Sequence, residues 1–236
     1  CGFNLYFLMM KFYLFILLFS TFGFAQVQDS IPTIERTVDV DDPKYREDQI
    51  YFGITHSILT NKPDGYKPNS FSTGISFGFL RDFPVNKRRN VAIAPGVGIV
   101  FYNLRNNLTI SDDGMSYYVD SNYNKNVQNL TYLEIPIEFR WRTSTMESHK
   151  FWRIYAGVKY SYLLRDVSKY DGPFGKYDVK SNPDYNKNII GTYISAGFNT
   201  WNIYAYYGFN PIFKKDVFVD KKSLNFFNVG LMFYIL

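Results

Sequence analysis

The residues that most often perform catalysis are few in this chain. It contains two histidines, His56 and His149, and a single cysteine, Cys1. His56 lies in a stretch of alternating apolar residues, whereas His149 lies in a short polar turn, so we expect the two rings to be far apart. Histidine chemistry needs a partner group within hydrogen-bonding or coordination distance. We therefore predict no catalytic residue and no metal site, and we expect that the protein is not an enzyme.

Two other short patterns lack the surroundings that ligand binding requires. Gly96 and Gly98 resemble part of a phosphate-binding loop, but no helical pattern follows them. Asp112 and Asp113 resemble calcium ligands, but the alternating carboxylates of a calcium-binding loop are absent. We therefore predict no cofactor, no bound nucleic acid and no small-molecule substrate.

Charged side chains are concentrated instead in the central stretch, residues 130–165. Apolar and polar residues alternate there in two runs, and this period of two is typical of β-strands. Each run has about a dozen residues, close to the ~9–11 that a tilted strand needs to cross a bilayer. Trp141, Trp152 and Tyr162 lie toward the ends of the apolar faces, where membrane barrels carry aromatic girdles. The pattern predicts a transmembrane hairpin; the alternative is a soluble β-sandwich that buries the same faces.

The first part of the sequence has the organisation of an exported protein. Met9 or Met10 is a better translation start than Cys1, so residues 1–9 are interpreted as an upstream artefact. Lys11, the apolar run 12–22 and the small residues at 23–25 predict a secretory signal peptide over 10–25. Residues 26–48 are polar and acid-rich, and we expect a flexible periplasmic lead-in. The remaining residues, 49–236, form the predicted domain.

Eight alternating segments account for that domain. Outside the central pair, they are residues 49–59, 71–80, 91–104, 189–199, 201–213 and 223–236. Pro95 is expected to cause a bulge or a local break in pairing. Longer connections fall at odd positions, as expected for an all-β, eight-stranded antiparallel transmembrane β-barrel with short periplasmic turns and longer extracellular loops. This fold predicts an outer-membrane location, with both termini in the periplasm and contacts to outer-membrane lipid and lipopolysaccharide.

The lumen of an eight-stranded barrel is wide enough only for side chains to fill it. Charged residues on the inward parity of the central hairpin are therefore predicted to form a buried ion-pair network, because an unpaired charge there would be destabilising. The predicted members are Glu134, Glu138, Arg140, Arg142, Arg153, Lys159 and Arg165. A channel lined by these charges is the alternative, and it would need a wider barrel. The alternation in the last strand does not show which of its faces meets lipid.

Four blocks of the sequence resemble the PorT family of Bacteroidota outer-membrane β-barrels. They are FGFLRDFPVNKRRN at 77–90, LEIPIEFRWRTST at 133–145, KFWRIYAG at 150–157 and NVGLMFYIL at 228–236. The LEIP element is shared by many porin-like small barrels, whereas RDFPVNKRRN at 81–90 and FRWRTST at 139–145 favour the secretion-associated branch. The resemblance implies a non-enzymatic component or assembly factor of the type IX protein secretion system, and of the gliding machinery where present.

The turn at 81–90, together with the turn at 143–150, is predicted to form a periplasmic face that contacts other secretion components. The charged members of the turn at 81–90 are Arg81, Asp82, Lys87, Arg88 and Arg89. The competing interpretation is a stand-alone small porin or surface-binding barrel.

Overall fold

A computed structural model describes residues 48–120, 122–143, 152–214 and 223–235. The predicted upstream segment, the signal peptide, almost all of the lead-in and nearly all of the turn at 143–150, including His149, lie outside these ranges. The described residues form twelve strands: β1 (Gln49–Thr60), β2 (Thr73–Leu80), β3 (Phe83–Pro84), β4 (Val91–Arg105), β5 (Leu108–Ile110), β6 (Tyr117–Val119), β7 (Lys125–Arg142), β8 (Trp152–Gly172), β9 (Gly175–Lys180), β10 (Asn188–Phe198), β11 (Trp201–Gly208) and β12 (Asn225–Ile235). Within these ranges no helix is long and apolar enough to cross a bilayer.

Eight of these strands close into an antiparallel barrel, which confirms the predicted fold class. The pairing runs β1–β2–β4–β7–β8–β10–β11–β12, and β12 pairs with β1 to close the ring. In that closing pair Ile50 lies opposite Ile235 and Thr60 lies opposite Asn225. Closure gives every barrel strand a partner on both sides, so the backbone donors and acceptors are satisfied without an open edge.

The two faces of the barrel wall have opposite chemistry. On β1, Tyr51, Thr55 and Ser57 are buried in the lumen, whereas Ile50 and Ile54 are exposed on the outside. The same separation holds on the other strands and gives an apolar outer band. On β12, whose orientation the sequence left open, the outward residues are Phe227, Val229, Leu231, Phe233 and Ile235. The apolar face of each strand therefore points away from the barrel interior, as in a membrane barrel and unlike a soluble β-sandwich.

The connections at the two ends of the barrel differ. At the short-turn end, the hairpin between β2 and β4 continues through β3, where Phe83 lies opposite Ile93. At the long-loop end, β5 pairs with β6 in a separate two-stranded sheet, and β9 extends the sheet beside β8. The sequence had suggested only turns in these long loops, because three- and six-residue strands are too short for a period to stand out.

Pro95 interrupts pairing without shifting the register. Ala94 and Pro95 pair with β7, and pairing resumes at Gly98 in the same register. Of the two predicted outcomes, the break occurs and the bulge does not.

Aromatic side chains gather outside the barrel at the short-turn end, where Trp152 contacts Phe198 and Trp201 contacts Phe233.

Candidate functional site

The lumen is occupied at the short-turn end by a cluster of fully buried charges. Asp82 binds Arg142 through two hydrogen bonds, from Nη1 to Oδ1 at 3.1 Å and from Nη2 to Oδ2 at 2.9 Å. It also accepts a hydrogen bond from Nη1 of Arg140 at 3.0 Å. The side chains of all three residues are 0% exposed. One carboxylate therefore joins two arginines of β7 to the β2–β4 hairpin.

Glu138 connects this cluster to the opposite wall of the barrel. Its Oε1 accepts a hydrogen bond from Nε of Arg140 at 2.8 Å. Its Oε2 accepts hydrogen bonds from the hydroxyls of Tyr193 at 3.0 Å and Tyr234 at 3.2 Å. Because the acceptors of a buried carboxylate must be satisfied, these contacts hold β7, β10 and β12 together across the lumen.

A second ion pair lies deeper in the lumen. The ammonium of Lys159 is 2.7 Å from Oε1 of Glu134, and it donates a hydrogen bond to the hydroxyl of Tyr204 at 3.1 Å. The same ammonium lies 4.5 Å from the centre of the Tyr206 ring. In the cavity beside this pair, the centre of a water molecule can occupy a volume of about 20 Å³. That space suits about one water and does not form a pore.

Toward the long-loop end, aromatic and aliphatic side chains replace the charges. The ring of Tyr102 stacks on that of Phe226 at 4.4 Å, and Tyr132 contacts both rings edge-on. Leu104 and Leu130 are also fully buried in this layer. The described lumen is thus filled with side chains along its length.

The structure places six of the seven predicted network residues in the lumen. Four of them form two direct ion pairs, Lys159 with Glu134 and Arg140 with Glu138. Arg142 is joined to them through Asp82, and Arg153 lies buried between the rings of Tyr155 and Tyr234.

Arg165 is not part of this network, and its predicted inward orientation is wrong. Leu163 pairs with Tyr132, but Thr131 pairs with Arg165, so Leu164 is an extra residue in a β-bulge. One inserted residue inverts the parity beyond it, because successive side chains point to opposite faces of a strand. Arg165 is consequently exposed on the outer face.

The predicted interaction turn also needs correction. Asp82 is 0% exposed and belongs to the lumen cluster, so it is not available to an external partner. The hairpin continues in register through β3, with Phe83 and Val85 exposed on the outer side, and Arg81 lies 5.9 Å from the Phe83 ring. Only the tip of the hairpin lies outside the paired strands, and its side chains Lys87 and Arg88 are exposed.

The tip has a defined backbone anchor. Arg89, next along the chain, is half-buried with a φ of 54°, and its carbonyl accepts a hydrogen bond from Nε of Arg142 at 3.2 Å. The role of Asp82 could have been found in the sequence by extending the β2 parity from Phe79 and Leu80 through the turn.

The loops at the other end form an ordered cap over the lumen. Leu108 of β5 is buried, and its carbonyl accepts hydrogen bonds from the side-chain amides of Asn126 and Gln128. The hydroxyl of Tyr170 donates to Asp120 at 3.1 Å. Burial and this carboxylate raise the pKa of Tyr170 to about 12. Within the described residues, no group of histidine, cysteine or acidic side chains could hold a metal ion.

A family model described as outer membrane protein beta-barrel domain matches residues 24–214. The chain belongs to this family. Its members' fold explains the apolar outer band as the surface that meets lipid, so the chain is an integral outer-membrane barrel. A comparison with curated proteins finds no match.

The chain is also similar in fold to two solved structures. Both are of Ail, the attachment invasion locus protein of Yersinia pestis, and one is in complex with the heparin analogue sucrose octasulfate. They share 12% and 13% identity with this chain at TM-scores of 0.39 and 0.38, and each alignment covers 81% of this chain and 100% of Ail.

Proposed function

We propose that this barrel is a non-enzymatic component or assembly factor of the type IX protein secretion system. The observation that carries the proposal is the filled lumen: paired charges and tyrosines occupy it, and the cavity beside Lys159 has room for about one water molecule. Such a barrel acts through its surfaces. The PorT-like blocks of the sequence, which include the β2–β4 hairpin and the strand of the charged cluster, supply the link to secretion.

The surface that we assign to this role is the tip of the β2–β4 hairpin. In our proposal the short-turn end lies in the periplasm, as the loop lengths predict. Lys87 and Arg88 are exposed at the tip, while Asp82 binds two arginines inside the barrel and fixes the base of the hairpin. A rigid, basic projection of this kind suits an acidic protein partner, because the positions of its charges are set before binding.

Charge reversal at the tip tests this role. Lys87→Glu combined with Arg88→Glu should abolish or strongly reduce export of type IX cargo, measured by comparing secreted proteins. A matched variant at the other end, Lys67→Glu with Lys176→Glu, should leave export unchanged, because those exposed lysines lie among the long loops. Heat-modifiable migration on gels checks that both barrels fold. Normal export by a folded tip variant would reject the proposal.

A surface-binding barrel is the second candidate, and the ordered cap favours it. The hairpin formed by β8 and β9 projects an exposed Phe174, and the β5–β6 hairpin projects an exposed Met115. These exposed apolar side chains on ordered loops are available for contact with an external partner. Deleting the gene separates the candidates: a loss of cargo export supports the secretion role, whereas normal export with lost surface binding supports this one. A stand-alone porin would show an open channel in planar bilayers.

A further inference from the structure

The β-bulge in β8 gives the outer face of the barrel a basic side chain at one defined level. Arg165 lies opposite Thr131, directly beyond the pair formed by Leu133 and Tyr162. Tyr162 and Leu164 are exposed members of the apolar band. Arg165 therefore emerges where the apolar band ends at the long-loop end of the barrel.

Other cations share this outer face on neighbouring strands. Arg105 of β4 lies opposite Val127 of β7, which in turn lies opposite Lys169 of β8. At about 4.8 Å between strands, the backbones of Arg105 and Lys169 are about 10 Å apart on one rung. Lys180 of β9 lies one strand further, opposite Val167. We call Arg105, Arg165, Lys169 and Lys180 the outer basic patch.

The surroundings of the outer basic patch are mostly neutral. Asn103 and Asn129 lie between its members, joined by a hydrogen bond of 2.7 Å, and Nε of Arg105 donates to Asn103 at 3.0 Å. Asp178, opposite Lys169, is an acidic neighbour on this face. Asp171, two residues beyond Lys169 on the same parity of β8, is a second acidic neighbour, and its carboxylate lies 3.8 Å from the ammonium of Lys176. The four cations thus outweigh the two carboxylates, and the patch attracts anions.

An apolar hollow lies below the patch on the same side of the barrel. It has a volume of about 380 Å³ and is open to the outside, and Gly78 and Gly98 lie opposite each other along its floor. Its wall includes Leu133 and Ile99, which are paired across β7 and β4. Leu133 is one outward rung from Thr131, about 7 Å along the strand, so the hollow leads up to the level of Arg165.

An anion-attracting patch above an apolar hollow matches the two ends of a phosphorylated lipid. Arginine binds phosphate oxygens through two parallel hydrogen bonds, and each cation near an anionic membrane surface strengthens binding. We propose that the outer basic patch binds the phosphorylated headgroup of an outer-leaflet glycolipid, with an acyl chain in the hollow. This inference takes the long-loop end to face the cell exterior, as in the proposed function, but does not depend on a role in secretion.

Binding of lipid A by the purified full chain in nanodiscs of phosphatidylcholine tests the proposal. Diphosphoryl lipid A should bind the native barrel, and removing one cation should weaken binding about fivefold, or about a hundredfold for Arg105→Ala, Arg165→Ala and Lys169→Ala together. The matched control, Lys67→Ala, Lys176→Ala and Lys214→Ala, removes the same charge from exposed lysines elsewhere in the long loops and should bind almost normally. Arg165→Lys should retain most of the affinity.

Three results would overturn the inference. They are equal affinity of the patch variant and the native barrel, an equal loss in the control variant, and competition by inorganic phosphate at the same concentration as lipid A, which would indicate a free-anion site. If the triple variant does not show heat-modifiable migration, Arg165→Ala alone carries the test, because its side chain is exposed. Cargo export is measured separately, so failure here leaves the proposed function untouched.

Discussion

Removing the carboxylate of Asp82 tests whether the charged cluster holds the barrel together. Asp82→Ala leaves the guanidinium groups of Arg140 and Arg142 without three hydrogen bonds, of 3.0, 3.1 and 2.9 Å. Both guanidinium groups are fully buried. A buried charge that loses its partner cannot recover hydration without opening the structure.

The expected cost follows from this burial. Breaking a buried ion pair by removing one partner destabilises a protein by about 3–5 kcal/mol. Arg140 retains Glu138, which places the cost of its loss at the low end, but Arg142 loses a bidentate partner. At about 2 kcal/mol per molar urea, a cost of 4 kcal/mol lowers the unfolding midpoint by about 2 M.

Reversible urea unfolding in lipid vesicles, followed by tryptophan fluorescence, measures the shift. Asp82→Asn, which retains one acceptor oxygen but no charge, should fall between the native protein and Asp82→Ala. Asp112→Asn, a change at an exposed carboxylate in a long loop, should move the midpoint by less than the experimental error. A midpoint for Asp82→Ala within 0.5 M of the native value, about 1 kcal/mol, would show that water solvates the cluster and that the ion pairs do not stabilise the barrel.

Three further perturbations test other parts of the fold. Gly230→Ala should destabilise the barrel by about 1–3 kcal/mol in the same urea assay, because the Cβ of the alanine would clash with the backbone carbonyl oxygen of Ile54. Deleting Leu164 removes the bulge but keeps Leu163 opposite Tyr132 and Arg165 opposite Thr131 on the outer face, so the variant should retain heat-modifiable migration; a loss of that migration would show that the barrel needs the bulge itself. Raising the pH from about 10 to 12 should loosen the cap, because the Tyr170 hydroxyl, whose pKa is raised in the folded protein, ionises more readily once the loops unfold. Proteolysis of the long loops should therefore become faster over that range, and an unchanged rate would contradict this expectation.

Much of the lumen could be predicted from the sequence because strand parity is a local property. Strand parity places Glu134, Glu138 and Lys159 in the lumen, where the structure pairs Lys159 with Glu134 and Glu138 with Arg140. The filling tyrosines, such as Tyr204 and Tyr234, were not predicted as network members, since a tyrosine suits either a lipid interface or a lumen. Only the partners on opposite strands show which environment each ring occupies.

The class of the fold, the number of strands in the barrel and the charge of the barrel interior could all be inferred from the amino-acid sequence. These follow from a period of two, which needs no knowledge of distant residues. The tertiary structure alone decided that Arg165 faces outward and that Asp82 faces inward. Both orientations depend on register with a neighbouring strand, because a single unpaired residue inverts every side chain beyond it and an unbroken hairpin preserves parity through an apparent turn.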